Sequence, residues 1–490
     1  MKSILTLVIM KDVARRNNGG KVPIINKVAR NLMSVGLSSV FAQFLTFLTI
    51  AYIARVVGKE GFGSINLAQA IITYFSIFTL FGLQTHGVRE VSKGSASHSL
   101  ILGEILTARL SLFVLSYAAL FLLAAFLPKD FSFKILLILY GLTLLPTALN
   151  IDWFYSGIEE MQHNAVYNIL RNAFPFFLLM ALLHNEGQLN FVPLATFAGL
   201  VVATGYQYSI LKEKGIRYKL GLPWTQVQKY VRVSFPFFLS GLLAMININI
   251  DRIVIGFSRT DSELGLYSAA YNIILFLTNV VAIIFVPVFP RLVKHHHDGD
   301  KEGLSRLTAT VAKFISLFIL PVAVGGIVLA EKIIILLYGQ EYAPAAGPFA
   351  ILLIFSVLLF TREIFGYQLN AWHLEKSYLK IIGLSSVLNL ALNLILTPRY
   401  GIYFAASINI ISETINLILM QIAAARVVQT AVLPHMLKAV LPSALMGGVL
   451  FLLRGHLPVL ISIVLGILVY AAAAFFLRIV RIEEMKTFLS

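Results

Sequence analysis

Residues Leu100–Leu127 read LILGEILTARLSLFVLSYAALFLLAAFL, a run whose only charged side chains are Glu104 and Arg109. The run is greasy on every side, whereas a soluble core helix keeps one polar face. Its length matches the ~20 apolar residues that a helix needs to cross a bilayer core. About fourteen stretches of this kind, separated by short polar breaks, extend from Asn31 to Arg478. They are centred on 31–57, 64–83, 100–127, 133–155, 165–183, 190–210, 233–257, 264–289, 307–330, 347–366, 378–397, 401–424, 434–453 and 458–478. The fold expected is all-α, a polytopic membrane bundle, and the function must be exerted in or across a membrane.

Composition agrees. The chain is 58% hydrophobic and only 13% charged, with a mean hydropathy of +0.84; soluble domains carry roughly 25% charged residues. The longest hydrophilic break between clear spans, Lys212–Arg232, is too short for a separate catalytic domain. With no cysteine, disulfides, thiolate metal sites and thiol nucleophiles are excluded. P-loop, HExxH, GxSxG and kinase signatures are absent, so nothing in the chain indicates ATP hydrolysis. The first ten residues, MKSILTLVIM, precede a basic stretch, the reverse of a signal peptide's order, and are expected to form a loose or interfacial arm.

The net charge of +16 is best explained by its placement. Of the 39 Lys and Arg, 27 fall in segments on the side of the N-terminus, 8 in the opposite loops, and four inside spans (Arg109, Arg171, Arg252 and Lys313). Cationic residues accumulate on the cytoplasmic side of membrane proteins. Both termini are therefore expected in the cytoplasm, with the basicity meeting anionic headgroups rather than nucleic acid. The triplet His295-His296-His297 is expected in a solvated cytoplasmic loop, since no acidic or second histidine cluster accompanies it.

The chain carries an internal repeat. EGFGSINLAQA at Glu60–Ala70 is similar to SELGLYSAAYN at Ser262–Asn272, about 202 residues later. WFYSGIEE at Trp153–Glu160 holds the same relative place as QLNAWHLE at Gln368–Glu375. The expected organisation is a basic arm (1–30), a six-span lobe (31–210), a basic cytoplasmic linker (211–232), a second six-span lobe (233–424), and two extra spans with the C-terminus (425–490). Halves of this kind enclose a central site and rock against each other.

Polar residues inside the spans point to that site. Asn66, Gln69, Thr73 and Ser76 recur at helical spacing, as do Asn409, Glu413 and Asn416, Asn389 and Asn393, Asn247 and Asp251, and Asn272 and Asn279. One reading of each stripe is interhelical hydrogen bonding. Five stripes across both halves favour a hydrated cavity. Arg109 and Glu413 lie near mid-span, Asp251 and Arg252 nearer one end of theirs, Arg171 and Asp152 toward the cytoplasmic ends, and Arg55 and Arg89 at the mouths. Intramembrane arginines suit an anionic cargo, because guanidinium stays charged and grips phosphate oxygens in a fork. Local ion pairing, such as Asp152 with Arg171 or Glu104 with Arg109, is the alternative for each. Prolines punctuating the spans, among them Pro146 and Pro175, allow kinks.

Five segments carry a family resemblance: ARVVGKEGFG (Ala54–Gly63), DWFYSGIE (Asp152–Glu159), DRIVIG (Asp251–Gly256), ELGLYSAAY (Glu263–Tyr271) and TPRYGIYFAA (Thr397–Ala406). In order and spacing, over roughly residues 27–426, the chain resembles the polysaccharide-exporter, Wzx-type (O-antigen or repeat-unit flippase) branch of the multidrug/oligosaccharidyl-lipid/polysaccharide superfamily. It departs from the family pattern at Ser156, where glutamine is usual. The resemblance implies two six-helix lobes around a cationic cavity, in a bacterial or archaeal plasma membrane. The cargo implied is an undecaprenyl-diphosphate-linked oligosaccharide, flipped to the outer leaflet for cell-surface polysaccharide biosynthesis, with polymerase or export machinery as partners. The cavity arginines expected are Arg55, Arg89, Arg109, Arg171 and Arg252, with Arg109 favoured by its depth. Asp251 or Glu413 would bind a coupling H+ or Na+; no other cofactor is expected. The last two spans would pack on the second lobe, where related lipid II flippases hold the lipid tail. Competing readings are a lipid II flippase, a cation-coupled multidrug antiporter of the same superfamily, and a membrane glycosyltransferase, polymerase or ligase. The last usually needs a large outer loop, and the largest here is Glu331–Ala346.

Overall fold

Without water to pair its amides, a chain in lipid must close every backbone hydrogen bond within its own segment, and helices do so. The computed structural model describes residues 24–479 apart from 95–97, 222, 430, 431 and 478, and has helices and turns but no strand among them. The expected arm up to residue 23 and the C-terminal tail lie outside the described residues. The helices are α1 (Ile24–Leu80), α2 (Leu83–Ser92), α3 (His98–Phe126), α4 (Phe131–Gly141), α5 (Leu144–Leu149), α6 (Asp152–Gly157), α7 (Gln162–Leu182) and α8 (Phe191–Glu213) in the first half. The second half holds α9 (Trp224–Ser258), α10 (Asp261–His297), α11 (Lys301–Val328), α12 (Ala330–Tyr338), α13 (Ala346–Ala371), α14 (Glu375–Tyr400) and α15 (Ile402–Ala425). Two more, α16 (Val432–Leu453) and α17 (Val459–Phe476), follow.

Twelve helical segments of the described chain are long and apolar enough to span a membrane. The first, Phe41–Ser92, holds both arms of α1, which folds back at Gly58 (φ 68°), a backbone conformation open mainly to glycine. The long helix α10 is a further crossing, so the chain accommodates about fourteen. Its outward faces carry large apolar side chains such as Phe126, Leu452 and Phe476, as a lipid-facing surface requires. The histidine triplet closes the last turn of α10 instead of lying in a loop. Lys294 and three imidazoles there face the negative end of the helix dipole, which favours continued helix.

One span is broken. The stretch expected as a single helix over 133–155 becomes α4, α5 and α6, with interruptions at 142–143 and 150–151. Pro146 contributes by removing a backbone donor. The freed groups are satisfied by neighbouring side chains. Arg109 Nη1 donates to the Asn150 carbonyl at 2.8 Å, and the Ile151 amide donates to Gln207 Oε1 at 3.1 Å. Tyr208 donates to the Leu149 carbonyl at 2.9 Å.

The two halves meet along α1 and α10. Gly63 abuts the Asp261 carbonyl so closely that a Cβ would sit 1.9 Å from it; Gly265 abuts the Lys59 carbonyl in the same way, also at 1.9 Å. Residues 63 and 265 are one repeat apart, and so are 59 and 261. The repeat is therefore expressed as a reciprocal, pseudo-twofold crossing in which only glycine lets the backbones touch.

Candidate functional site

Midway along the second arm of α1, a polar cavity of about 330 Å³ opens between the halves. Gln69, Thr73 and Ser76 form one wall, and Tyr140 and Thr143 another. Arg171 on α7 approaches from the first half, and Arg252 on α9 from the second. Arg171 is solvent-exposed within the fold. Arg252 is held in place: its Nη2 donates to Asn272 Oδ1 at 3.4 Å, and its guanidinium lies 4.7 Å from the centre of the Tyr271 ring. Asn272 in turn donates to Asn66 at 3.4 Å across the halves. Two guanidiniums from opposite halves, with amide and hydroxyl groups between them, make a site for a polyanion. At roughly 30 Å³ per water the cavity has room for about ten waters.

The two halves touch toward either end of the second arm of α1. At the end carrying Gly58, the glycine crossing is reinforced by Lys129–Asp261 (2.6 Å) and by Ser64 donating to Asp261 (3.1 Å). Arg55 is used here: it donates to the Leu337 carbonyl at 2.8 Å and to that of Leu336, capping α12. Tyr342 donates to the Ala54 carbonyl at 3.0 Å. At the opposite end Phe81 stacks on Phe238 with centroids 4.2 Å apart, and Phe78 packs beside them. Arg89 is exposed on α2 beyond this aromatic plug.

Arg109 is not at the cavity. It is 1% exposed, engaged by the Asn150 carbonyl, Gln84 (3.5 Å) and the Trp153 ring (5.8 Å), and serves the broken span. The expectation of cargo contact followed from its depth, but a cation at mid-membrane is equally useful wherever backbone carbonyls are stranded. Neither suggested ion pair forms among the described residues. Asp152 binds the amide of Trp153 (2.6 Å), and Glu104 accepts from Tyr230.

A second polar cluster fills the interior of the second half, around a cavity of about 160 Å³. Asp251 accepts from Tyr267, from Asn409 (3.3 Å) and from the Arg252 amide (2.8 Å). Asn409 also donates to Tyr267 (2.9 Å), and Asn389 donates to Asn409 (3.3 Å) and Ser412 (3.1 Å). Asn247 donates to Ser386 at 2.8 Å. Glu413 accepts from Asn416 (3.2 Å) and pairs with Arg362 at 2.5 Å, which also meets Glu363 at 2.9 Å. Arg362 is the residue that the sequence reading missed. It lies inside the expected span 347–366 but belongs to none of the polar stripes, and α13, which continues to Ala371, buries it. The adjacent Arg362-Glu363 at the end of an apolar run, opposite the mid-span Glu413, was the available signal. Arg252 lines the first cavity, and its sequence neighbour Asp251 is buried against Asn409, which lines the second. No group of three or more His, Cys, Asp or Glu able to hold a metal occurs among the described residues.

Two lobes of membrane helices around a cationic polar cavity fit a transporter. A family model described as polysaccharide biosynthesis protein matches residues 28–296, and one described as lipid II flippase MurJ matches 174–470. The chain belongs to the polysaccharide-biosynthesis flippases of the multidrug/oligosaccharidyl-lipid/polysaccharide superfamily, and is a transporter rather than an enzyme. It is 23% identical over 408 residues to "Probable low-salt glycan biosynthesis flippase Agl15" of Haloferax volcanii, covering 80% of this chain and 82% of that relative. In fold it resembles lipid II flippase MurJ in an inward closed conformation (TM-score 0.71, 18% identity, 90% of this chain and 98% of the other). It also resembles an inward-facing multidrug MATE transporter (TM-score 0.62, 12% identity, 79% and 95% covered).

Proposed function

We propose that this flippase moves an undecaprenyl-diphosphate-linked oligosaccharide from the cytoplasmic to the outer leaflet by alternating access, with both termini cytoplasmic. The observation that carries this reading is the convergence of Arg171 and Arg252, from opposite halves, on one polar cavity. A diphosphate bridging them draws the halves together, and Gln69, Thr73 and Ser76 hydrate the first sugars. The prenyl chain stays in lipid. The Gly63/Gly265 crossing closes the outer end, and the Phe81–Phe238 plug closes the inner end.

Asp251 is the coupling residue in this reading. It accepts from Tyr267 and Asn409, and its neighbour Arg252 faces the cargo. Binding of H+ or Na+ at Asp251 alters the field at Arg252 and releases its hold on phosphate. A ligand drives such a change only through different affinities for the two states. Glu413 is a poorer candidate because Arg362 already neutralises it.

The test is leaflet translocation of a labelled undecaprenyl-diphosphate oligosaccharide in proteoliposomes, with and without an H+ or Na+ gradient. Translocation above empty liposomes, lost in Arg171→Ala and insensitive to gradients in Asp251→Asn, is expected. Transport of organic cations in place of the lipid would move the assignment to an antiporter, and lengthened sugar chains would move it to a membrane enzyme.

A further inference from the structure

Of the two arginines at the interlobe cavity, Arg252 is tied to the opposite half through a chain of side-chain amides. Asn66 on α1 donates to the Phe62 carbonyl at 2.8 Å. Its Oδ1 accepts from Asn272 Nδ2 on α10 at 3.4 Å, and Asn272 Oδ1 accepts from Arg252 Nη2 on α9 at 3.4 Å. The two ends of the chain fix its sense. A carbonyl only accepts and a guanidinium only donates. Each amide between them must therefore turn its NH2 toward Phe62 and its oxygen toward Arg252. With either amide reversed, two donors or two acceptors would face each other inside the bundle. All three side chains are buried, Asn66 to 2% exposure, Arg252 to 6% and Asn272 to 7%, where an unpaired polar group is costly.

The duplication does not account for this chain. At the offset of about 202 residues, the counterparts of Asn66, Asn272 and Arg252 are Ser268, Ala70 and Ile50. The Gly63/Gly265 crossing is reciprocal, whereas the amide relay runs one way and ends on a cavity cation. Asn66 sits about one helical turn from Gly63, so the relay is made only while the halves touch at the Gly58 end. With the Tyr271 ring beside it and Asn272 on Nη2, the guanidinium has one pose, and in that pose it lines the cavity. Part of it is left uncommitted, since Arg252 Nε is buried without a hydrogen-bond partner among the described residues.

We propose that Asn66, acting through Asn272, is a positioning residue for the cargo phosphate: it sets the Arg252 fork while the halves touch at the Gly58 end and frees it when they part there. This rests on the reading that Arg252 binds the diphosphate. Cargo is gripped while the relay is made and let go as that end opens. The coupling is reciprocal, so bound cargo also favours the state in which the halves touch. Release is then a consequence of opening rather than a separate event.

The full chain is assayed in proteoliposomes for translocation of labelled undecaprenyl-diphosphate oligosaccharide, and in detergent for binding of undecaprenyl diphosphate. Asn66→Ala and Asn272→Ala should each raise KM and weaken binding roughly tenfold, the loss of one hydrogen bond to a charged group, with kcat changed far less. Asn66→Leu, of nearly the original volume, should behave as Asn66→Ala does. The double alanine variant should bind no more weakly than either single one, because both residues act through one chain. A purely structural role would lower the thermal midpoint and leave KM alone. In Ser64→Cys/Asp261→Cys, oxidation holds the halves together at the Gly58 end and should tighten binding severalfold, an effect that Asn66→Ala should abolish. Undiminished affinity in Asn66→Ala, with Arg252→Ala weakened, overturns the relay and leaves the cargo site standing. Undiminished affinity in Arg252→Ala overturns both, and additive losses in the double variant overturn the relay.

Discussion

Arg109 and Arg171 are both intramembrane arginines, yet their surroundings assign them opposite tasks. Arg109 serves the stranded Asn150 carbonyl, and removing a partner of a buried polar group costs about 1–3 kcal/mol. Arg109→Ala should therefore lower the thermal midpoint of the detergent-purified protein. Arg171 touches the cavity and is exposed. Arg171→Ala should leave that midpoint unchanged while translocation falls at least about tenfold, the loss of one charge-assisted contact. Equal midpoints for both variants would contradict this division. The buried Arg362–Glu413 pair supplies a second contrast. Removing one member of a buried ion pair costs about 3–5 kcal/mol because the other charge is left uncompensated. Arg362→Met should thus destabilise the fold more than Arg362→Met/Glu413→Gln, as read from the same melting curves.

Among the elements, the contact between the halves at the Gly58 end combines two parts of unequal strength. Lys129–Asp261 is partly exposed, and such pairs contribute ~0.2–1 kcal/mol, so Lys129→Ala should shift the open population only a fewfold. The glycine crossing is steric. Any side chain at Gly63 or Gly265 places Cβ against a backbone carbonyl, and a backbone cannot give way as a flexible side chain can. Gly63→Val or Gly265→Val should hold the halves apart at that end. Accessibility of an engineered cysteine at Gln69 to an outside thiol reagent would rise severalfold more than in Lys129→Ala; an unchanged rate would remove the crossing from the gate. The broken span over 131–157 follows similar logic, since α5 and α6 persist because Arg109, Gln207 and Tyr208 take up the backbone groups that the break releases.

For the molecule as a whole, alternating access requires the two ends to open in turn. The chain has no native cysteine, so a pair introduced at Ser64 and Asp261 forms the sole disulfide. Oxidation should lock the Gly58 end and stop translocation, and reduction should restore it. Transport that continues in the oxidised protein would exclude rocking about this crossing.

The sequence alone determined the membrane bundle, because ~20-residue apolar runs have no other stable solution in water or lipid. It also revealed the duplication, since EGFGSIN and SELGLYS retain one pattern of small residues about 202 positions apart. Helical spacing brought Gln69 and Thr73 to one face, and that face lines the cavity. What the spacing could not convey was the partner each polar group finds across the bundle. Arg109 and Arg252 look alike in sequence, but one meets a stranded carbonyl and the other a cavity. Arg362 lies within an expected span, but its spacing carries no sign of Glu413, 51 residues later, as its partner. Contacts between residues far apart in the chain, such as Asp251 with Asn409 or Gly63 with Asp261, exist only once the two halves pack. The charge, burial and function of each polar residue are set by those neighbours, and the tertiary structure alone decides them.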